Sequence, residues 1–249
     1  MDESHLAIAG YLRERRNTLR LTRAELARKA GVSEGLIQKL EQGRRPPTTT
    51  ALAALFQALD VPLMYREYAA MVLQPELTTI TGGIPEPTRA ELNFLESFPH
   101  PACFQTAPGF DLVATNAAYR RAFPGLRRGA NILEWFLLSP HARSVFASWE
   151  RETHRMVQAF RHMGPGQIAP ERIEEIIAAC APAPDWQRFW ATDIDPAEMD
   201  WRPLRIRPAD GDGAWIDMQP HLLRCEMPRR EWYMYSMVPC TGDPELFGA

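Results

Sequence analysis

Apolar residues recur every three or four positions through the first 72 residues, the period of a helix with one buried face. Ile8, Leu12 and Leu19 lie near one side of an amphipathic segment over 8–18. Thr22-Arg23-Ala24-Glu25 reads as a capping box, in which hydroxyl and carboxylate each satisfy an orphan N–H at a helix start. That helix runs to Ala30, and Gly31 supplies the left-handed residue after it. Ser33 caps a third helix over 34–42, ended by Gly43. Thr48 to Thr50 offer caps for a fourth over 51–59, where Leu52, Leu55, Phe56 and Leu59 keep the spacing, and Pro62 starts a fifth, roughly 62–72. Residues 73–88 hold three prolines and a Gly-Gly pair and read as a linker.

The pattern then changes. A second capping box, Thr88 with Glu91, opens a short helix to about Ser97. ACFQT and DLVAT are strand-like runs separated by Pro108-Gly109. Asn116 and Asn131 cap short helices, and Ser139-Pro140 starts what reads as one helix over 141–163, with Ala142, Phe146, Trp149, Thr153, Met156 and Phe160 as its buried stripe. Pro170 starts a helix to about Ala181, and Asp185 a short one through Trp190. The tail alternates with period 2: Leu204 with Ile206; Ala214, Ile216 and Met218; Trp232, Met234, Ser236 and Val238. Asp210-Gly-Asp-Gly213 reads as a hairpin turn, so the tail supplies three or four antiparallel strands. The expected organisation is a helical domain over 1–72, a linker over 73–88, and an α+β domain with one antiparallel sheet over 89–249.

Composition narrows the class. The 249 residues are 45 % apolar and 24 % charged, an ordinary globular balance that allows one large domain or two small ones. No apolar run reaches the roughly 18 residues of a membrane helix, and the N-terminus lacks the apolar core of a secretory signal. Cys103, Cys180, Cys225 and Cys240 form no CxxC pair, which fits a reducing cytoplasm. The net charge of −3 hides an asymmetry: residues 1–75 carry eleven Lys/Arg against eight Asp/Glu, the remainder 17 against 23. A basic head on an acidic body implies two modules with different partners.

The second and third helices, joined at Gly31, form a helix-turn-helix, with Ala27, Val32, Ile37 and Leu40 at the positions that lock the pair. The second can then enter the major groove, which is wide enough for one helix. Its outward residues are Glu34, Gly35, Gln38, Lys39 and Gln42, behind the cap Ser33; Arg23 at the start of the motif can meet a phosphate or a base edge, and Arg44 and Arg45 after it suit phosphate contacts. LTRAELARKAGVSEGLIQKLEQGRRPP resembles the helix-turn-helix of the Xre/Cro/phage-repressor class over about residues 6–72. It departs from the pattern at Arg23, where the class often has Gln, and at Gly35. The resemblance implies a five-helix, lambda-repressor-like domain that binds a double-stranded DNA operator, and a structural pairing of Glu41 with Arg16.

All seven tryptophans, Trp135, Trp149, Trp186, Trp190, Trp201, Trp215 and Trp232, lie in the C-terminal part. Aromatic residues mostly build core, but a sheet lined by Trp, Met and Phe under helices also makes an apolar pocket. Its candidate lining is Phe104, Leu112, Phe146, Trp149, Met156, Trp190, Trp215, Trp232 and Met234, each also explained as plain core. Arg151, His154 and Arg161 are candidate cations for a ligand carboxylate. The pieces HPACF, LVATNAAYRRAF, NILEWFLLSPHARSVFASWERE, FRHM and DWQRFWATDID resemble the ligand-binding domain of MmyB-like transcription regulators over about 89–241, a family similar to PAS domains. That resemblance implies a small hydrophobic ligand, fatty acids or related acyl compounds among them.

No GxSxG, HExxH, P-loop or GxGxxG is present, and His100, His141, His154, His162 and His221 form no metal-spaced set. Neither an enzyme activity, a metal nor a cofactor is therefore expected, and Cys103 reads as a buried, inert thiol rather than a redox sensor. The expected protein is a cytoplasmic homodimeric transcription regulator, not membrane-bound, whose C-terminal domain modulates operator binding. The alternative is an antitoxin-like or protein-sensing repressor with a protein partner in place of the small molecule.

Overall fold

The computed structural model describes residues 3–62, 65–66, 69–70, 86–165, 167–194, 202–209, 213–226 and 229–240. Its contacts divide the chain into two compact units: Met1–Thr79 with Gln158–Ile173 and Thr192–Asp200, and Ile80–Val157 with Glu174–Ala191 and Trp201–Ala249. Most of the expected linker (73–85), Trp201 and residues 210–212 of the expected turn lie outside the described residues. Of the fifth helix, 65–66 and 69–70 are described and helical.

In the first unit, α1 (Glu3–Thr18), α2 (Arg23–Ala30), α3 (Glu34–Glu41) and α4 (Thr49–Ala58) carry the chain. Local chemistry sets each boundary. The Thr22 hydroxyl accepts from Glu25 N–H while the Glu25 carboxylate accepts from Thr22 N–H. Gly31 takes the left-handed conformation at φ +66°, where an L side chain would be strained. Ser33 and Thr48 cap α3 and α4 through their hydroxyls. Helix α2 packs on α3 and α4, and α1 on α3, around a core of Ile8, Leu12, Leu26, Ile37, Leu40, Leu52, Leu55, Phe56 and Leu59. Arg15, itself buried, donates from Nε to Leu59 O and from Nη2 to Asp60 O, satisfying carbonyls at the end of α4.

The second unit is built on a five-stranded antiparallel sheet in the order β2-β1-β5-β4-β3. Its strands are β1 (Ala102–Gln105), β2 (Leu112–Thr115), β3 (Leu204–Ile206), β4 (Ile216–Glu226) and β5 (Arg229–Pro239). Phe104 pairs with Met234, Cys103 with Tyr235, and Leu204 with Met218. The helices of this part of the chain are α5 (Arg89–Glu96), α6 (Ala117–Ala122), α7 (Ile132–Leu138), α8 (Pro140–Val145), α9 (Trp149–Met163), α10 (Pro170–Cys180) and α11 (Trp186–Ala191). A helical N-terminal region followed by an α+β domain with one antiparallel sheet is thus what the chain forms.

Two buried asparagines do more than cap. Asn116 Oδ1 accepts from Tyr119 N–H and Ala102 N–H, and its amide donates to the carbonyls of Phe98 and His100. One side chain therefore ties α6 to the start of β1. Asn131 accepts from Leu133 and Glu134 N–H and donates to Gly109 O and Asp111 Oδ1.

One expectation is corrected. The single helix over 141–163 is two helices, α8 and α9, broken at Phe146–Ser148. The freed backbone pairs with β3 instead: Ala147 N–H donates to Arg205 O, and Arg207 N–H to Val145 O. A continuous helix would have spent those groups on itself; the apolar spacing through Phe146 and Trp149 survives the break, which is why periodicity alone did not reveal it.

Candidate nucleic-acid interface and ligand face

Helix α3 has two unlike sides. Ile37 and Leu40 are buried at 1 % and 2 % exposure. Glu34, Gly35, Gln38, Lys39 and Gln42 are all exposed, as are Ser33 before the helix and Arg44 and Arg45 after it. A cap that fixes the entry of α3 and a packed inner face leave these outer side chains projecting from a rigid element. That is the arrangement a groove-reading helix needs. A Cβ added at Gly35 would meet nothing within 4 Å, so nothing in the chain itself demands glycine there.

Glu41, at the end of α3, points inward and is 5 % exposed. Arg16 reaches it from α1, Nε to Oε1 at 2.5 Å and Nη2 to Oε2 at 3.1 Å, while Arg16 Nη1 donates to Leu21 O. Arg23 Nε donates to Glu41 Oε2 at 2.8 Å. Burial pushes the Glu41 carboxyl up, but the hydrogen bonds and charges of the two arginines outweigh it and hold the group below the usual carboxylate range. The triad ties α1, the start of α2 and the end of α3 together. Arg23, a candidate DNA contact, thus has its Nε engaged with Glu41 while 36 % of its side chain stays exposed.

The nine candidate lining residues fall into separate groups. Phe104, Trp232 and Met234 belong to one tightly buried cluster with Leu95, Ala102 and Ala114, the Phe104 and Trp232 rings stacked at 4.3 Å. Phe146 stacks on Phe123 at 5.8 Å and lies 4.7 Å from Phe136. Trp149 donates from its indole to Phe136 O and lies under the Arg143 guanidinium at 3.6 Å. Trp190 packs on Trp186 at 4.9 Å. Leu112 is buried in β2 and Met156 half-buried in α9. Trp215 is 39 % exposed, its ring under Arg207 at 4.8 Å.

The opposite alternation of β1 and β5 is more polar than the sequence pattern suggested. Cys103 and Gln105 of β1 are buried, as is Tyr119 of α6, and the Cys103 thiol donates to Gln105 Oε1 at 3.7 Å. Burial pushes the Cys103 thiol up to about 12, so it stays protonated. Burial raises Tyr119 and Tyr235 as well; Cys103 and Glu152 add to the rise at Tyr235, and the charge of Arg155 opposes it. Glu152 holds Arg151 through Oε1 and lies 3.5 Å from Arg155 through Oε2. Of the candidate cations, Arg151 is thus paired with its neighbour, His154 stacks on Phe189 at 5.1 Å, and Arg161 lies in the first unit. Arg155, missed by sequence reasoning, lies 3.5 Å from Glu152, and its charge acts on Tyr235. Its i+3 spacing from Glu152 was the available signal.

A second grouping was also missed. In the first unit, Glu14 of α1, His162 near the end of α9 and Asp193 after α11 bring ligand-type atoms within 4.8 Å of one another. These residues are far apart in sequence, so no spacing motif announces them.

Residues 7–67 match the family model of a helix-turn-helix domain, and residues 88–211 that of the MmyB-like transcription regulator ligand binding domain. No curated protein matches the chain. Among the described residues no helix is long and apolar enough to cross a membrane.

Proposed function

For a chain that is a helix-turn-helix transcription regulator with an MmyB-like ligand-binding domain, we propose sequence-specific operator binding through α3, controlled by a small, largely apolar molecule held in the PAS-like domain. The two-sided α3 carries this reading. Its buried inner face and exposed Glu34, Gly35, Gln38, Lys39 and Gln42 support base contacts, with Ser33, Arg44 and Arg45 on phosphates. The protein acts as a homodimer on two half-sites about one helical turn apart. The ligand is an acyl compound whose body lies among the aromatic side chains and whose polar head meets the Tyr119, Tyr235 and Arg155 side of the sheet. Control is linkage: the ligand changes DNA affinity by its preference between DNA-competent and incompetent arrangements.

Selection of binding sites from random duplex DNA, followed by footprinting, tests the DNA half. A paired footprint supports the dimer; a single asymmetric half-site overturns it. Gln38→Ala relaxes base preference, whereas Lys39→Ala weakens all sequences and lowers the salt slope by about 1. Equal, salt-independent losses from both contradict the assignment. A native mass spectrum beside a denaturing one tests the ligand half, since a carried acyl compound appears as non-covalent mass. A second reading, a protein-sensing repressor, draws on the exposed Leu222 and Leu223 of β4, at 37 % and 49 %; a bare dimer that binds an added partner protein would favour it.

A further inference from the structure

The Glu14, His162 and Asp193 grouping has no part in the function just described. His162 Nε2 lies 3.3 Å from Glu14 Oε2 and 3.6 Å from Asp193 Oδ1. Around an ion with ligand bonds of about 2.0–2.1 Å, tetrahedral ligand atoms sit about 3.3–3.4 Å apart. One imidazole and two carboxylates is a common donor set for a first-row divalent cation. The imidazole is held by ring contacts, edge-on to Tyr11 at 5.4 Å and to Tyr65 at 6.4 Å.

Two further observations point to a ligand here. The same residues line a cleft with Tyr65 and Gln158, with space for about one water molecule. Into this region come two buried oxygens without a hydrogen-bond partner, Glu14 Oε2 and the Tyr65 hydroxyl, the latter on a side chain only 2 % exposed. Buried polar atoms are seldom left so. A positive group already answers the three donors: Arg161 Nη2 bonds Asp193 Oδ1 and lies 3.1 Å from His162 Nε2 and 3.8 Å from Glu14 Oε2. Arg161 is the end of a long side chain, 17 % exposed, able to swing away.

We propose that Glu14, His162 and Asp193 form a divalent-cation site of the zinc or cobalt type, in which the ion exchanges with the Arg161 guanidinium. The Tyr65 hydroxyl, in the lining of the same cleft, then serves as a hydrogen-bond donor to a carboxylate or an ion-bound water. The site ties together three chain segments of the first unit.

The test is titration of the full-length chain with Co²⁺ and Zn²⁺, read by the visible cobalt bands and by calorimetry. The wild type binds one ion with no near-ultraviolet thiolate band. Removing the competing cation in Arg161→Ala tightens binding by about tenfold, and His162→Gln and Asp193→Asn each weaken it by about tenfold or more. Circular dichroism checks that each variant is folded; Asp193, at the rim, keeps the test valid if His162→Gln is not. No binding at millimolar ion, a thiolate band placing the ion on cysteines, or an affinity indifferent to Asp193→Asn and Arg161→Ala would each overturn the proposal.

Discussion

Helix α3 and the strands β1 and β5 present their chemistry in opposite ways. On α3 the candidate contacts are exposed and the packing residues buried, so composition and burial separate the two roles: Gln38 and Lys39 outside, Ile37 and Leu40 inside. In the sheet a ligand face is itself buried. Phe104, Trp232 and Met234 have the burial, residue type and contacts of a core, and a pocket wall would look the same. A polar partner sees side chains that folding does not need; an apolar ligand sees the same side chains that folding uses.

The largest effect that sharpens this contrast is expected at Trp232. Trp232→Ala removes a fully buried ring stacked on Phe104 and costs about 4 kcal/mol in chemical denaturation. Retained stability with loss of ligand would turn this cluster from core into pocket wall.

Next is Glu41→Gln, which leaves Arg16 and Arg23 without their counter-charge and costs about 3 kcal/mol, read as a lower melting temperature. Its pH dependence follows from the lowered Glu41 carboxyl. A group whose folded value lies below its unfolded one contributes fully above the unfolded value, about 4.3 for glutamate, and loses that contribution as the pH falls through the folded value. The gap between wild type and variant should therefore close in acid; a gap that widens there would reverse the assignment.

A smaller effect is expected at Gly35. Gly35→Ala adds a Cβ into open space and stabilises α3 by up to about 1 kcal/mol. It also weakens operator binding, because the DNA side is then the only claimant for the missing side chain. Unchanged affinity in a binding titration would remove Gly35 from the interface. Smallest of all, Trp215→Ala changes stability by less than about 0.5 kcal/mol, since the ring is 39 % exposed; a larger loss would show that Trp215 is core after all.

The helix caps at Thr22, Ser33, Thr48, Thr88, Asn116 and Asn131 are all legible in the sequence, because a cap is satisfied within three residues of itself. Helix α3 was legible for the same reason, together with a family pattern spanning 27 consecutive residues from Leu21 to Pro47. The break at Phe146–Ser148 was not, because the groups that compete for its backbone belong to β3, some 60 residues away. Arg23 shows the same limit: the bond from its Nε to Glu41, 18 residues on, is announced by no local motif.

Sequence alone therefore determined the order of modules, the capped ends of the helices and the alternation of the closing strands, all set by neighbours within a few residues. Tertiary structure decided which charges are spent inside the fold, as at Glu41 with Arg16 and Arg23, and which distant groups meet, as at Asn131 with Gly109 and Asp111 and at Glu14 with His162 and Asp193. Those outcomes depend on segments brought together by burial of apolar surface, a force that has no direction and leaves no local signature in the chain.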